Sequence, residues 1–303
     1  MQHTNSGQSG NEPDWLAQQF EANRGHLKGV AYRMLGSLAE ADDAVQESWL
    51  RLSRSGASGV ENLGGWLTTV VARVCLDMLR SRKSRREEQL LNQVPDPIVS
   101  RVESVDPRRE TELADSIGLA LLVVLEALTP AERLAFVLHD MFAVSFNEIA
   151  SLVECTPTAA RQLASRAHRR VQGAAVPDCD LTQQRKVVDA YLAAARGGNF
   201  DALLEVLDPN VVARADRGPA GAPREVRGAK AVAAGVVAWS KSVRGERVAR
   251  PVIVNGAAGF VGFEGEKPGS VIGFIVRGGR IVELNLFADP ARLHRLNLAA
   301  LFA

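Results

Sequence analysis

No run of about 18 consecutive apolar residues occurs in this 303-residue chain, which argues against a membrane-spanning helix. The opening stretch, MQHTNSGQSGNEPD, lacks the basic start and apolar core of a secretory leader and reads as a disordered tail over residues 1–13. Cysteine is scarce: Cys75, Cys155 and Cys179 are far apart and form no CxxC pair. Neither a disulfide framework nor a zinc site is indicated, so no metal or cofactor is expected, and a cytoplasmic location is. Cys75 reads as core, and a redox switch through Cys155 and Cys179 is an open alternative. Net charge is almost missing too, at +1, which by itself counts weakly against a nucleic-acid partner. What is present is enough apolar sequence, 46%, to bury cores, and a length that suggests two or three domains.

The near-zero charge is an average over unlike segments. Residues 14–90 read as helical, 91–111 as a linker with Pro95, Pro97 and Pro107 among charges, and 112–174 as helical again. A short connector, 175–182, leads into a differently textured part, 183–303, where apolar runs are punctuated by glycine as in hairpins. Ser37-Leu38-Ala39-Glu40 is a capping box, with Gly36 closing the helix before it. The helix it opens carries Val45, Trp49 and Leu52 on one face, leaving Asp42, Asp43, Gln46, Glu47 and Arg51 on the rest; a solvated surface is the plain account of those five. The next helix starts near Gly65-Trp66 and ends in a cationic patch: six basic residues from Arg73 to Arg86 against one acid, Asp77. Such a patch can neutralise phosphates and release counterions, although a basic helix end also complements the helix dipole.

The most specific pattern lies between Thr129 and Val171. Thr129-Pro130-Ala131-Glu132 and Ser145-Phe146-Asn147-Glu148 are successive helix starts with capping boxes. A short helix from Phe146 to Val153 meets the tight turn Glu154-Cys155-Thr156, and Pro157 opens the following helix. Ala160, Leu163, Ala164, Ala167 and Val171 recur at spacings of three and four to make an inner face. Arg161, Gln162, Ser165, Arg166, Arg169 and Arg170 project elsewhere. A short helix, a three-residue turn and an outward Arg/Gln helix form the pattern of a DNA-reading helix-turn-helix. Arginine matches guanine, and glutamine adenine, in the major groove.

The stretches Tyr32–Ser37, Ala41–Leu52, Gly64–Arg73 and Leu76–Arg80 resemble region 2 of ECF sigma factors, and Leu128–Arg133 with the helix-turn-helix resembles region 4. The resemblance spans about residues 14–173 in the family's order. It implies that Asp42, Asp43, Gln46, Glu47 and Arg51 dock on the coiled coil of the RNA polymerase largest subunit. It implies that the Val60–Trp66 loop, Trp66 included, and the helix with Arg73, Asp77, Arg80 and Arg82 open and read the −10 element. Arg161, Gln162, Ser165, Arg166 and Arg169 fall, on the same resemblance, in the −35 element of promoter DNA.

The last 120 or so residues resemble the SnoaL-like branch of the nuclear-transport-factor-two-like fold. Helices are expected at Gln184–Gly197, Asp201–Leu207 and up to Val243. Strands are expected at Val211–Ala215, Val248–Asn255, Ala258–Glu264, Val271–Arg277 and Arg280–Phe287, the last two joined by Gly278-Gly279. The expected fold is therefore a mainly α N-terminal part, two helical sigma domains, followed by an α+β cone-shaped domain. Such cones hold a pocket, so a small-molecule ligand there is an open question. Sigma factors with this extension tend to carry Trp-Leu-Pro-Glu-Pro between regions 2 and 4, where this chain has Gln93-Val94-Pro95-Asp96-Pro97. Their extra domain tends to carry Asp-Gly-Gly-Gly-Lys, where this chain has Asp216-Arg217-Gly218-Pro219-Ala220. Asp216 and His294 offer little as catalytic groups. The expected function is promoter-specific initiation with polymerase core, the C-terminal domain acting in cis on the sigma regions or their linker. The alternatives are a one-component ligand-sensing regulator, which needs no acidic docking helix, and an enzyme fused to a DNA-binding module.

Overall fold

The computed structural model describes residues 12–55, 62–85, 95–102, 119–172, 178, 180–218, 224–242 and 247–302. In chain order the elements are α1 (Glu12–Leu35), α2 (Leu38–Ser55), α3 (Leu63–Arg85), β1 (Val99–Arg101), α4 (Leu119–Glu126), α5 (Pro130–Phe136), a π-turn (Val137–Met141), α6 (Phe146–Val153) and α7 (Pro157–Val171). They continue with α8 (Leu181–Arg196), α9 (Phe200–Val206), β2 (Leu207–Asp216), β3 (Arg224–Arg227), α10 (Ala229–Ser242), β4 (Arg247–Val254), β5 (Ala257–Glu264), β6 (Lys267–Arg277), β7 (Arg280–Phe287), α11 (Pro290–Arg295) and a 3-10 turn (Leu298–Leu301). Two compact units result: residues 1–88 with 125–172, and residues 89–124 with 173–303. Among the described residues no helix is long and apolar enough to cross a membrane.

Among the described residues the first unit is built of helices and the turns between them. Gly36, at φ +67°, ends α1 with its N–H on the Tyr32 carbonyl, 2.8 Å away, and Ser37 accepts from the Glu40 N–H to start α2. Phe20, Leu27, Val30 and Met34 of α1, Val45 and Leu52 of α2, and Leu67, Val71 and Leu76 of α3 are buried. Trp49 covers Phe20 with ring centroids 5.1 Å apart. Cys75 is fully buried in this core, and burial pushes its thiol well above the usual range.

The second unit is an open seven-stranded sheet in the order β1-β4-β5-β6-β7-β2-β3, antiparallel except where β2 runs parallel to β7. Alternation along the strands gives it two apolar faces. Phe260, Phe274, Val276 and Leu284 pack under Val188 and Tyr191 of α8, Leu203 of α9 and Val232 of α10. On the opposite face Val252, Val254, Val261, Phe263, Val271 and Phe287 pack against Leu293 and Leu298. Gly278 and Gly279, at φ +59° and +73°, make the two-residue turn between β6 and β7, and Asp178 accepts from both N–H groups.

The helices and meander strands fall where the sequence places them, within a few residues. Two strands were not expected. β3 (Arg224–Arg227) pairs with β2 after the Gly/Pro-rich loop. β1 lies inside the segment read as a plain linker and extends the sheet edge, Val99 opposite Val254 and Arg101 opposite Val252. Val60 and Glu61 of the expected loop, Arg86, residues 91–94 and 103–111, Pro219–Pro223 and Cys179 lie outside the described residues; Leu63–Trp66 form the first turn of α3.

One buried group is poorly matched to its surroundings. Asn285, in β7, is 1% exposed, and neither its amide nitrogen nor its oxygen has a hydrogen-bond partner among the described residues. A buried amide without partners costs about 1–3 kcal/mol. Replacing it with the similarly shaped Asn285→Leu is expected to raise the stability of the C-terminal unit by roughly that amount. A thermal or urea melt that shows an unchanged or lower midpoint would contradict this.

Candidate polymerase and promoter interfaces

On α2, Asp42, Asp43 and Gln46 are exposed, whereas Glu47 and Arg51 are half-buried. Lys28 of α1 reaches Asp42 at 2.7 Å, and Arg51 reaches Glu47 at 3.0 Å one turn away. Exposed pairs of this kind are worth about 0–1 kcal/mol, so a cationic partner can exchange for them at little cost. The five residues share the outer side of α2 with the exposed Leu50, opposite the buried Val45 and Leu52.

On α3, Arg73, Asp77 and Arg80 are exposed and follow one another at four and three residues, which puts them on one side of the helix. Arg82 is placed differently. Its guanidinium pairs with Glu40 and donates to the Leu35 carbonyl at 3.1 Å, bracing the α1–α2 corner. Trp66 is half-buried in the first turn and lines a cleft with Asn62, Thr69 and, from α6, Glu148, Ser151 and Leu152.

The helix-turn-helix forms as its caps dictate. Thr129 and Ser145 each complete a capping box with Glu132 and Glu148, and Thr156 accepts from the Ala159 N–H at 3.2 Å. Glu154 turns the corner in the left-handed conformation, φ +58°. Ala160, Ala164 and Ala167 are buried, and Arg161, Gln162, Ser165, Arg166 and Arg169 are all exposed. Small inner residues let α7 approach α5 closely while leaving a polar outer face for a groove.

Two interactions in this unit had no signal in the sequence. Arg133, 3% exposed, donates to the Met34 carbonyl at 2.8 Å and pairs with Glu126 at 2.9 Å, clamping α5 to the end of α1. Beside it Phe142 packs edge-on against His26 at 5.1 Å and lies under the Arg33 guanidinium, also at 5.1 Å. Thr68 donates its hydroxyl hydrogen to the Gly64 carbonyl, so His26 Nε2 donates to Thr68 Oγ1 at 3.0 Å. Burial, and then the Arg33 cation, hold the imidazole below its usual range, which keeps it neutral. These contacts bring the −10 and −35 candidates into one compact body.

The chain carries two segments that match family models: Sigma-70 region 2 over residues 19–85, and Sigma-70 region 4 over residues 118–171. It is 34% identical over 286 residues to the probable ECF RNA polymerase sigma factor SigI of Mycobacterium tuberculosis, covering 93% of this chain and 96% of that one. It belongs to the ECF family of RNA polymerase sigma factors. The ECF sigma factor SigJ of the same organism is 42% identical over 219 residues, 71% of this chain and 70% of SigJ. The crystal structure of SigJ superposes with a TM-score of 0.70 at 32% identity, over 92% of this chain and 98% of that one. The likeness therefore runs through the C-terminal α+β domain as well as the sigma regions. As an alternative sigma factor, the protein directs transcription from promoter DNA with RNA polymerase core.

Within this sigma factor Glu132 has two tasks. It is the capping-box acid of α5, and its carboxylate receives Arg170 at 3.0 Å and Arg166 at 4.0 Å from α7. Burial alone would raise the carboxyl, but the Thr129 N–H and hydroxyl, with the two arginines, hold it below its ordinary value. A lowered folded-state value means its stabilisation is complete above the ordinary carboxylate range and is lost as pH falls through the depressed value. Glu132→Gln should therefore cost about 1–3 kcal/mol at neutral pH, and the gap to the parent should narrow in acid. Denaturant midpoints compared at pH 7 and pH 3.5 test this; a gap independent of pH would refute it.

Proposed function

We propose that the C-terminal domain regulates this sigma factor in cis by holding the linker between regions 2 and 4, and that the form described here is a closed one. One observation carries the reading: Arg292 of α11 receives two acids, Asp96 of the linker and Asp216 at the end of β2. Its Nη1 is 2.5 Å from Asp216, and its Nε is 2.8 Å from Asp96. Asp96 and Asp216 stand where the subgroup's two motifs have their acids, so the departures around them leave this contact in place. The Ile98 and Asn255 backbones are tied at 2.8 Å, the Asn255 side chain accepts from the Ile98 N–H at 3.1 Å, and β1 completes the attachment.

The consequence is geometric. The −35 and −10 elements lie some 25 base pairs apart by name, on the order of 80 Å along B-DNA. Region 4 in contact with region 2 through Arg133 and Met34 does not reach both elements. Promoter engagement needs that contact to open and the linker to extend, and an attached linker has less length to give. In the open form we assign polymerase docking to Asp42, Asp43, Gln46, Glu47 and Arg51. The −10 element falls to Trp66, Arg73, Asp77 and Arg80, with Arg82 joining once it leaves Glu40. The −35 element falls to the exposed face of α7, from Arg161 to Arg169. The proposal gives the C-terminal domain a regulatory part and not a catalytic one, requires no small-molecule ligand, and sets the protein at work in the cytoplasm with polymerase.

In vitro transcription with purified polymerase core tests this, using the full chain, the full chain with Asp96→Asn, and a chain ending near Ala175. A weakening of 1 kcal/mol in linker attachment shifts the closed-to-open ratio about fivefold, so Asp96→Asn should raise output by about that factor. Truncation should change output as well. Unchanged initiation by both altered chains would overturn in-cis control, and no initiation by any of the three would overturn the assignment of the docking surface.

A further inference from the structure

The basic side chains along α7 differ in their surroundings. Toward its C-terminal end, Arg166 and Arg170 are drawn to Glu132, and His168 lies 3.5 Å from Asp140 in the π-turn. Toward its N-terminal end, Arg161 meets no acid of this kind among the described residues; its guanidinium carbon lies 5.1 Å from the centre of the Phe146 ring. Phe146 in turn stacks on His139, centroids 3.9 Å apart with a tilt of 31°. His139 is itself fixed, Nδ1 donating to the Val144 carbonyl at 3.1 Å. The Ser145 capping box sets Phe146 at the first position of α6, where its ring is half-buried between the π-turn and α7. A stack His139–Phe146–Arg161 therefore runs from the body of region 4 to the exposed face of α7.

The physical effect of such a stack is to choose a rotamer. A free arginine side chain loses much conformational entropy on fixing a base, and its donors are useful only in one plane. An aromatic ring attracts the cation to its face and leaves the guanidinium edge, with its N–H groups, open to a partner. Two parallel donors on that edge match O6 and N7 of guanine in the major groove.

We propose that Phe146, backed by His139, is a positioning residue that holds Arg161 ready for one guanine of the −35 element. The chain's preference at that base pair then depends on the stack as well as on the arginine. This rests on the reading above that α7 enters the major groove. Arg166 and Arg170, held by Glu132, contribute to packing and phosphate attraction more than to base choice.

The test is initiation by the full chain with polymerase core on a promoter set in which each −35 base pair is replaced in turn. Arg161→Ala should flatten the preference at one G·C pair by at least fivefold. Phe146→Ala should reduce the preference at that same pair about two- to fivefold and leave the preferences elsewhere unchanged. Phe146→Tyr, which keeps an aromatic face, should preserve it, and Phe146→Ala added to Arg161→Ala should have no further effect at that pair. A uniform loss over all promoters, or an intact preference in Phe146→Ala, would overturn the positioning role. An intact preference at every base pair in Arg161→Ala would overturn the base contact beneath it. Phe146→Tyr, together with the thermal midpoint of Phe146→Ala, separates positioning from a folding defect.

Discussion

Arg292 carries a charge into a place where water is scarce, and the architecture of the C-terminal unit follows from how that charge is matched. Its side chain is 16% exposed, Asp216 beside it 3%, and Asp96 on the other side 10%. A buried ion is tolerated when its partners are close and hydrogen-bonded, and removing one partner costs more than the pair was worth. Here the two partners come from sequence positions more than a hundred residues apart. Asp216 belongs to the sheet, and the Gly218 N–H helps hold it at 2.9 Å. Asp96 belongs to the segment between the sigma regions. Because one cation needs both, the linker strand has a reason to stay at the β4 edge that backbone pairing over three residues alone would not supply.

A similar economy operates in the helical unit. Glu132 is required locally, as the acid that completes a capping box, and that local need places a carboxylate beside α7. Arg166 and Arg170 then have a fixed anion to settle on, and His168 has Asp140. Helix α7 is thus anchored along one flank, while its outward residues remain exposed. Arg133, buried against the Met34 carbonyl, does for the two sigma regions what Arg292 does for the linker: it joins remote segments through a charge whose desolvation makes the contact specific.

Most of the local structure was legible in the sequence because its causes are local. Capping boxes at Thr129 and Ser145, the glycine at Gly36, the glycine pair at Gly278-Gly279 and the alanine stripe of α7 each act within a few residues, and each element appears where they place it. The outward positions of Asp42, Asp43 and Gln46 on α2 and of the polar set on α7 were legible for the same reason, since helical spacing decides which residues face outward. Arg82 was not, because its partner Glu40 lies 42 residues away and nothing in spacing joins them. β1 was hidden for a related reason. Val99–Arg101 is too short for a period to show, sits beside prolines that favour a loop reading, and is a strand only because the β4 edge pairs with it. His26 and Phe142 look ordinary in sequence and become informative only when α1 and the π-turn meet.

The near-zero net charge, 36 basic against 35 acidic side chains, hides how those charges are used. Several acids and bases are matched internally, Arg292 with Asp96 and Asp216, Arg82 with Glu40, Arg170 with Glu132. Those pairs remove charge from recognition and turn it into structure. On the helices of the sigma unit, Asp42 and Asp43 stand exposed on α2, Arg73 and Arg80 on α3, and Arg161 and Arg169 on α7. A sigma factor has to meet a protein surface with one face and polyanionic DNA with others, and long-range attraction steers each encounter. Placing these exposed charges on different helices gives both surfaces their field without an overall excess of either sign, which is why the total says so little about the partners.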